Sequence, residues 1–370
     1  MAGSTFGNIF KITTWGESHG KGVGVVVDGC PAGLSLCEED IQKFLDRRKP
    51  GQSKFTTPRK EDDAVEILSG VFEGKTTGTP ISLIVFNRNQ QSKDYREIAS
   101  YYRPGHADYT FDAKYGFRDY RGGGRSSGRE TIGRVAAGAI AVKILNQLGI
   151  SFLTYAKSIG PIQINTRNFD ADAISKNPVY MPDIDAAENA MAYLEACIAE
   201  QNSSGGVVEC IVKGVPAGIG DPVFEKLNAN LAKAVMSIGA VKGFEIGDGF
   251  DVAKATGKNN NDAFRMGEDG SVVKTTNHAG GILGGISDGS DIILRATIKP
   301  TPSISATQQT VNKSGEEIDI NIKGRHDPII VPRAVVVVES MAAIAIVDAL
   351  FSNMSARMDA VEQFYNKTRV

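Results

Sequence analysis

The order of strand-like and helix-like segments constrains the fold of this chain more than any other feature of its sequence. Short β-branched segments predict strands, and they lie at 23–29, 66–72, 80–86, 206–214, 291–298 and 334–340. Periodic or capped segments predict helices, and they lie at 35–48, 130–148, 185–201, 224–237 and 340–365. Since strands and helices do not alternate one for one, we predict an α+β fold with largely antiparallel sheets instead of a doubly wound parallel sheet.

Two helix boundaries carry specific signals. The run Ser35-Leu36-Cys37-Glu38 has the pattern of a capping box and predicts a helix start. Gly149 predicts the end of the long apolar helix at 130–148. The chain has 370 residues and a hydrophobic content of 41%, which allows one large domain or two ordinary ones. The sequence shows no internal repeat and no low-complexity linker.

The overall charge and the cysteine pattern narrow the class of protein. With 43 acidic and 41 basic side chains, the formal net charge is −2, which argues against a general nucleic-acid or membrane binder. The four cysteines form no CxxC pair and suggest no metal site. Neither a signal sequence nor an apolar run of about 18 residues is visible. We therefore expect a cytoplasmic protein with reduced cysteines.

Cationic residues are concentrated in two segments of this near-neutral chain. Residues 43–60 hold seven basic side chains and one acid, and residues 118–134 hold five arginines and two acids. The second segment contains GGGRSSG at 122–128, where glycines leave Arg and Ser accessible, and it leads into a helix whose N-terminus favours anions. Together the two segments predict a small, highly anionic ligand.

Common nucleotide and RNA motifs do not account for these glycines. GVFEGKTTG at 70–78 has one residue too few between its glycines for a Walker A loop, and GKGVG at 20–24 is not GxGxxG. An RGG-type RNA tail would be long and repetitive. The run at 122–128 is short and is followed at once by a strong helix, which disfavours that reading.

All four histidines lie in polar segments punctuated by glycine or proline, and none lies on an apolar helix face. They are His19 in GESHG, His106 in RPGHAD, His278 in TNHAGG and His326 in GRHDP. Histidine is the side chain best suited to proton transfer near neutral pH. Metal binding is the competing explanation, but no HxH or HxxxH spacing is present.

Seven glycine-rich or polar segments follow one another along nearly the whole chain. They are GESHG at 16–20, RPGHAD at 103–108, GGGRSSGRET at 122–131, AVKGFEIGDGF at 240–250, NHAGGILGGISDG at 277–289, KPTPS at 299–303 and GRHDP at 324–328. Together, and in this order, they resemble the signature segments of the chorismate synthase family. The resemblance implies a single domain over 1–370, a β-α-β sandwich of largely antiparallel sheets around helices, and a homotetramer.

The resemblance also implies an activity. Chorismate synthases are lyases that convert 5-enolpyruvylshikimate 3-phosphate to chorismate in the last step of the shikimate pathway toward aromatic amino acids. The reaction is a 1,4-anti elimination of phosphate that requires reduced FMN (FMNH2) without net redox change, with NADPH as a candidate reductant. The substrate carries two carboxylates and a phosphate, which fits the two cationic segments.

Residue roles follow from the same resemblance. His19 would donate a proton to the departing phosphate, His106 would protonate the flavin, and Asp327 would help to move the substrate proton through the flavin N5. The residues that would contact FMN are Arg125, Ser126, Ser127, Gly239, Ala240, Gly284, Lys299, Pro300, Thr301, Pro302, Ser303 and Arg325. The residues that would hold the anionic groups of the substrate or of NADP are Arg48, Lys54 and Arg129.

Two positions depart from the family pattern, and two other functions compete with this one. Lys54 stands where the family often has arginine, so the charge is kept without the bidentate fork. Pro302 stands where serine is common. The competing functions are a flavin oxidoreductase that consumes NADPH as its main reaction and a non-catalytic module that binds anions or RNA. Net redox change per product separates the first from elimination, and phosphate release with reduced FMN separates the second.

Overall fold

The computed structural model describes residues 3–56, 61–88, 97–121, 123–322 and 327–367. The strands within these ranges are β1 Thr5–Phe6, β2 Lys11–Gly16, β3 Gly22–Asp28, β4 Val65–Ile67, β5 Val71–Phe72, β6 Lys75–Thr76, β7 Ile81–Phe86, β8 Ser151–Ile159, β9 Ile162–Gln163, β10 Gly206–Lys213, β11 Val241–Ile246, β12 Phe264–Met266, β13 Val272–Lys274, β14 Ile282–Leu283, β15 Ile286–Ser287, β16 Ile292–Ile298, β17 Gln308–Val311 and β18 Glu317–Ile320. The α-helices are α1 Glu38–Arg48, α2 Asp108–Tyr115, α3 Thr131–Gln147, α4 Ile184–Ala199, α5 Leu227–Met236, α6 Gly257–Asn260, α7 Val331–Asn353 and α8 Met358–Lys367.

The strands form two five-stranded sheets and several hairpins. The first sheet has the order β1-β2-β3-β7-β4, and the second has the order β11-β16-β10-β8-β9. Every pairing among these strands is antiparallel. The prediction of antiparallel sheets is therefore confirmed, and so are strands close to five of the six predicted segments, although the segment at 66–72 divides into β4 and β5.

Helices fill the space between the two sheets. Helix α3 packs against β2, β3 and β7 of the first sheet, while α7 packs against β8 and β10 of the second. The two helices also pack against each other, with α1 and α5 beside them. Their contact is close at Gly138, where a Cβ would lie 2.2 Å from the Cβ of Ser340. This layering confirms the predicted sandwich of sheets around helices.

Helix α7 corrects two predictions. Residues 334–340 form no strand, because the whole run lies within α7 and is buried. The closing helix predicted at 340–365 is instead the end of α7 followed by the separate helix α8. Helix α7 is long and apolar enough to cross a membrane, but most of it is buried inside the protein, as expected for the central helix of a packed core.

The start of α1 also differs from the prediction. Its N-cap is Cys37, not Ser35, and the Asp40 carboxylate accepts a hydrogen bond of 3.1 Å from the Cys37 amide. A capping box is thus present two residues later than the sequence pattern suggested. Helix α1 ends at Arg48, as predicted, and this boundary places the Arg48 side chain in the protein interior.

Candidate active site

Two arginines of the cationic segments meet at one buried carboxylate. Arg48 lies at the end of α1 and is 1% exposed, while Asp63 is 4% exposed. The Arg48 Nη2 atom donates to Asp63 Oδ2 at 2.5 Å, and the Arg129 Nη1 atom donates to Asp63 Oδ1 at 3.1 Å. Burial alone would raise the pKa of Asp63, but Arg48 and Arg129 reverse that effect and lower it. This carboxylate therefore stays ionised and brings the two cationic segments together.

The same two arginines have hydrogen-bonding capacity left over. Arg48 Nε and Arg129 Nη2 are buried and have no hydrogen-bond partner among the described residues. Burial lowers the pKa of Arg48 to about 10, so the guanidinium remains charged at neutral pH. Unsatisfied buried donors are costly and rare, and on charged groups they favour an anionic acceptor. The arrangement fits the predicted anionic ligand.

Arg333 connects this cluster to Asp327. Arg333 Nε donates to the Arg48 carbonyl at 2.8 Å, and Arg333 Nη1 donates to Asp327 Oδ2 at 2.8 Å. Arg333 also lines a cavity of about 290 Å³ between the end of α1 and the start of α7, where Arg47 and Lys176 add further positive charge. Asp327, predicted to move a proton, is thus anchored by an arginine that lines this cavity.

The loop that carries His19 joins β2 to β3 in the first sheet. Gly16 turns the chain with φ +83°, and a Cβ there would lie 2.2 Å from the Gly22 carbonyl oxygen, so only glycine fits. The Ser18 hydroxyl lies 3.2 Å from His19 Nδ1. The Asn87 side chain donates to the carbonyls of Glu17 and Gly20, each at 2.9 Å, and accepts from Arg129 Nε at 2.9 Å. Asn87 therefore ties the loop of His19 to the arginine cluster.

Arg125 belongs to a second polar network beside this loop. Arg125 donates to the Gly16 carbonyl at 3.1 Å and to Thr14 Oγ1 at 2.6 Å. Thr14 in turn donates to Glu130 at 2.8 Å, and Glu130 accepts from Arg134 at 2.7 Å. The network continues to the end of α5, because Arg134 donates to Ser237 Oγ at 2.6 Å. Ser237 directly follows α5 and leads to Gly239 and Ala240.

Three segments predicted to serve the cofactor or the chemistry meet at one end of the second sheet. The Lys299 amide donates to the Ala240 carbonyl at 3.0 Å, and Lys299 Nζ donates to the Gly105 carbonyl at 2.7 Å. His106 Nε2 lies 2.8 Å from Ser303 Oγ. A Cβ on Gly105 would lie 2.7 Å from the Cβ of Pro302, so the loop at 103–108 packs directly on the KPTPS segment.

The hydrogen bonds of His106 determine where its proton lies. His106 Nδ1 is 3.0 Å from the Pro104 carbonyl oxygen, which can only accept, so Nδ1 carries the hydrogen. In the neutral ring Nε2 then accepts a hydrogen bond from the Ser303 hydroxyl. Burial, with Arg103 as the next cause, lowers the pKa of His106 to about 4. The ring is therefore neutral at pH 7 and becomes an acid only after Nε2 gains a proton.

Two predicted site residues lie apart from these clusters, and one lies outside the described residues. Lys54 is exposed and pairs with Glu195 of α4. Gly284 turns the β14–β15 hairpin, and the next residue, Gly285, accepts a hydrogen bond from Leu227 at the start of α5. Ala240 follows the other end of that ten-residue helix, which is about 15 Å long at 1.5 Å per residue. Arg325 lies outside the described residues.

The remaining predicted contacts lie within these loops. Ser126 donates to the Gly123 carbonyl at 2.8 Å, and Ser127 accepts from the Arg129 amide at 3.3 Å. Thr301 accepts at its carbonyl from Ser203 at 2.7 Å, while its hydroxyl is buried without a partner among the described residues. Among the described residues, no group of three His, Cys, Asp or Glu side chains could hold a metal ion.

Sequence reasoning missed three residues of the site: Asp63, Asn87 and Arg333. Asp63 has a left-handed φ of +46°, which is uncommon outside glycine, but no sequence signal announces it. Asn87 follows a predicted strand, and a polar residue at a strand end is a usual place for a functional side chain. Arg333 stands two residues into a segment now seen to be α7, so the error at 334–340 concealed its position at a helix start.

Comparisons with known proteins place the chain in one family. The sequence profile described as chorismate synthase matches residues 10–351. A relative from Agathobacter rectalis named chorismate synthase is 76% identical over 99% of this chain and 100% of its own length. One from Methanosarcina mazei with the same name is 56% identical over 94% of this chain and 96% of its own. A crystal structure titled chorismate synthase matches with a TM-score of 0.77 and 31% identity, covering 98% of each chain.

Proposed function

The chain belongs to the chorismate synthase family, and we propose that it releases phosphate from 5-enolpyruvylshikimate 3-phosphate by a 1,4-anti elimination that requires reduced FMN. Family membership makes the chain a lyase of chorismate biosynthesis, the last step of the shikimate pathway. The observation that carries the proposed substrate is the pair of buried, unpartnered guanidinium donors on Arg48 and Arg129. A substrate with two carboxylates and a phosphate supplies the acceptors that these donors lack.

The flavin cofactor implied by the family fits the loops at the end of the second sheet. A Cβ on Gly239 would meet open space, and the Thr301 hydroxyl is buried without a partner among the described residues. Gly239, Ala240 and the segment 299–303 would hold reduced FMN, with Arg125, Ser126 and Ser127 approaching from the turns that precede α3. When bound, reduced FMN supplies electron density as phosphate leaves and recovers it afterwards, without net redox change.

The chain's own residues supply orientation and protons. Arg48 and Arg129 bind the anionic groups of the substrate, and His19 donates a proton to the departing phosphate. His106 holds a proton at Nδ1 and would receive a second one at Nε2, with the Ser303 hydroxyl then accepting instead of donating; bound anions would favour this protonated form. Asp327, anchored by Arg333, serves the removal of the substrate proton. Lys54 would have to leave Glu195 to reach the substrate or NADPH.

A homotetramer in the cytoplasm completes the proposal. Gly284 lies in the β14–β15 hairpin beside the start of α5, whereas Ala240 follows the other end of that helix, and we propose that Gly284 contacts the flavin of another subunit. The exposed apolar side chains Phe264, Met266 and Val272 on the neighbouring β12–β13 hairpin support a subunit contact there. Two inactive variants, His19→Ala and Gly284→Asp, mixed under conditions that exchange subunits, should regain activity if Gly284 acts in trans. Hybrids that stay inactive would show that Gly284 does not act on the site of another subunit.

The proposed function is tested by anaerobic phosphate release from 5-enolpyruvylshikimate 3-phosphate. We expect release with chemically reduced FMN and none with oxidised FMN alone; an NADPH arm shows whether the chain reduces its own flavin. Arg129→Ala should slow release, while Arg357→Ala, which removes an exposed arginine paired with Asp359, should not. NADPH consumed with every product would favour the flavin oxidoreductase, and RNA binding without phosphate release would favour the non-catalytic module.

A further inference from the structure

Asn87 joins two parts of the candidate active site through its backbone N–H and its side-chain amide. It directly follows β7, and its amide N–H donates to the Lys21 carbonyl at 3.0 Å. Its side-chain Nδ2 donates to the Glu17 and Gly20 carbonyls, and its Oδ1 accepts from Arg129 Nε, all at 2.9 Å. The backbone bond extends the pairing of β3 with β7, so a sheet strand fixes the position of the side chain.

These partners allow one orientation of the amide. The Glu17 and Gly20 carbonyls can only accept, and the Arg129 guanidinium can only donate. A flipped amide would place its nitrogen against Arg129 and its oxygen against two carbonyl oxygens, which would lose all three bonds. The side chain is therefore a rigid link between the loop that carries His19 and the guanidinium of Arg129.

Arg129 is held at two of its three nitrogens. Asn87 binds Nε and Asp63 binds Nη1 at 3.1 Å, while Nη2 is buried without a partner among the described residues. Because the guanidinium is planar, holding Nε and Nη1 in place also fixes the direction in which Nη2 points. The same link sets the distance from that nitrogen to the loop of His19.

We infer that Asn87 is a positioning residue, which holds the His19 loop and the free edge of Arg129 so that both address the same anionic group of the substrate. The inference rests on the proposed function, because it assigns that group to the reaction. Small misplacements of catalytic groups lower the reaction rate strongly, so a substitution of Asn87 should chiefly lower kcat.

Two substitutions separate the halves of the link. Asn87→Asp keeps an acceptor for Arg129 but removes both donors to the loop, so we expect kcat to fall by about 10- to 100-fold with a small change in KM. Asn87→Ala removes both halves, so kcat should fall and KM should rise. If Asn87 acts through His19, adding Asn87→Asp to His19→Ala should cost little further rate. The matched control is Asn259→Ala, since Asn259 also bonds backbone of its own loop but contacts no residue of the site.

Amide hydrogen exchange of residues 17–21 provides a readout that does not depend on the reaction. Both Asn87 variants should exchange faster there than wild type, whereas Asn259→Ala should not. Faster exchange with wild-type kcat would make Asn87 a structural residue and overturn the inference, as would unchanged exchange or full additivity with His19→Ala. If wild-type protein released no phosphate, the proposed function would fail, and the exchange result would still decide whether the link exists.

Discussion

Asp63→Asn should be one of the most destabilising single substitutions in this chain. Asp63 is 4% exposed and bonds both Arg48, itself 1% exposed, and Arg129. Removing one partner of a buried ion pair typically costs about 3–5 kcal/mol, because the remaining charge stays buried without compensation. Asparagine keeps one carbonyl oxygen as an acceptor, so we expect about 3 kcal/mol, a large part of the roughly 5–15 kcal/mol that stabilises a typical protein.

The assay is denaturant unfolding of wild type and variant at several pH values. Arg48 and Arg129 hold the pKa of Asp63 below its ordinary value. The carboxylate therefore contributes its stability above the unfolded-state pKa of about 4 and loses it as the pH falls through the lower folded-state pKa. The difference between the two proteins should be constant from about pH 5 to 7 and should shrink below about pH 4.

Two further observations sharpen this test. Inorganic phosphate should stabilise Asp63→Asn more than wild type, since the variant leaves more guanidinium donors unpaired. The control Asp359→Asn, which removes an exposed partner of Arg357, should leave the unfolding midpoint unchanged. A difference below about 1 kcal/mol for Asp63→Asn at pH 7, which is the range of an exposed ion pair, would refute the account of a buried, charge-balanced cluster.

Three other predictions concern His106, Gly138 and Arg129. As the pH falls from about 6.5 to 4, His106→Gln should lose less stability than wild type. In that range the unfolded histidine gains a proton, while the folded ring, with a pKa of about 4, does not. Thermal unfolding of both proteins at pH 7 and pH 5 tests this difference. Gly138→Ala should destabilise the protein by about 1–3 kcal/mol or more, because its Cβ would overlap Ser340 and force α3 from α7; an unchanged unfolding midpoint would contradict that packing. Arg129→Ala should weaken substrate binding more than FMN binding in separate titrations, and equal losses would place Arg129 elsewhere in the site.

The fold could be predicted from the sequence where periodicity and burial agree. Strand β10 was predictable because apolar residues recur at every second position, and Val208, Cys210 and Val212 form one buried face of the strand. The run Val335–Val338 led to a wrong strand prediction, because its pattern shows no helical period. It is β-branched, which favours a strand, but it lies in a helix buried on all sides, where no polar face reveals the helical period. Helix α7 packs between α3 and the second sheet, and this burial outweighs the preference of its β-branched residues for a strand.

The site could be predicted in part, because its cations are clustered along the chain while their partners are not. Arg48 and Arg129 belong to conspicuous basic segments, but sequence alone does not show that one carboxylate, Asp63, joins them. The bond of Arg333 to the Arg48 carbonyl spans 285 positions and depends on how α7 packs against α1. The family resemblance named Gly284, but only the fold shows that Gly284 and Ala240 lie at opposite ends of α5.

The most direct test of the central claim counts flavin oxidation against product under strict anaerobic conditions. Reduced FMN is supplied at a small fraction of the concentration of 5-enolpyruvylshikimate 3-phosphate, without NADPH, and phosphate, chorismate and the flavin spectrum are followed together. Elimination without net redox change predicts one phosphate and one chorismate for each substrate, over many turnovers, with the flavin still reduced at the end. Oxidation of one flavin for each product, or a reaction that stops after one turnover per flavin, would contradict it.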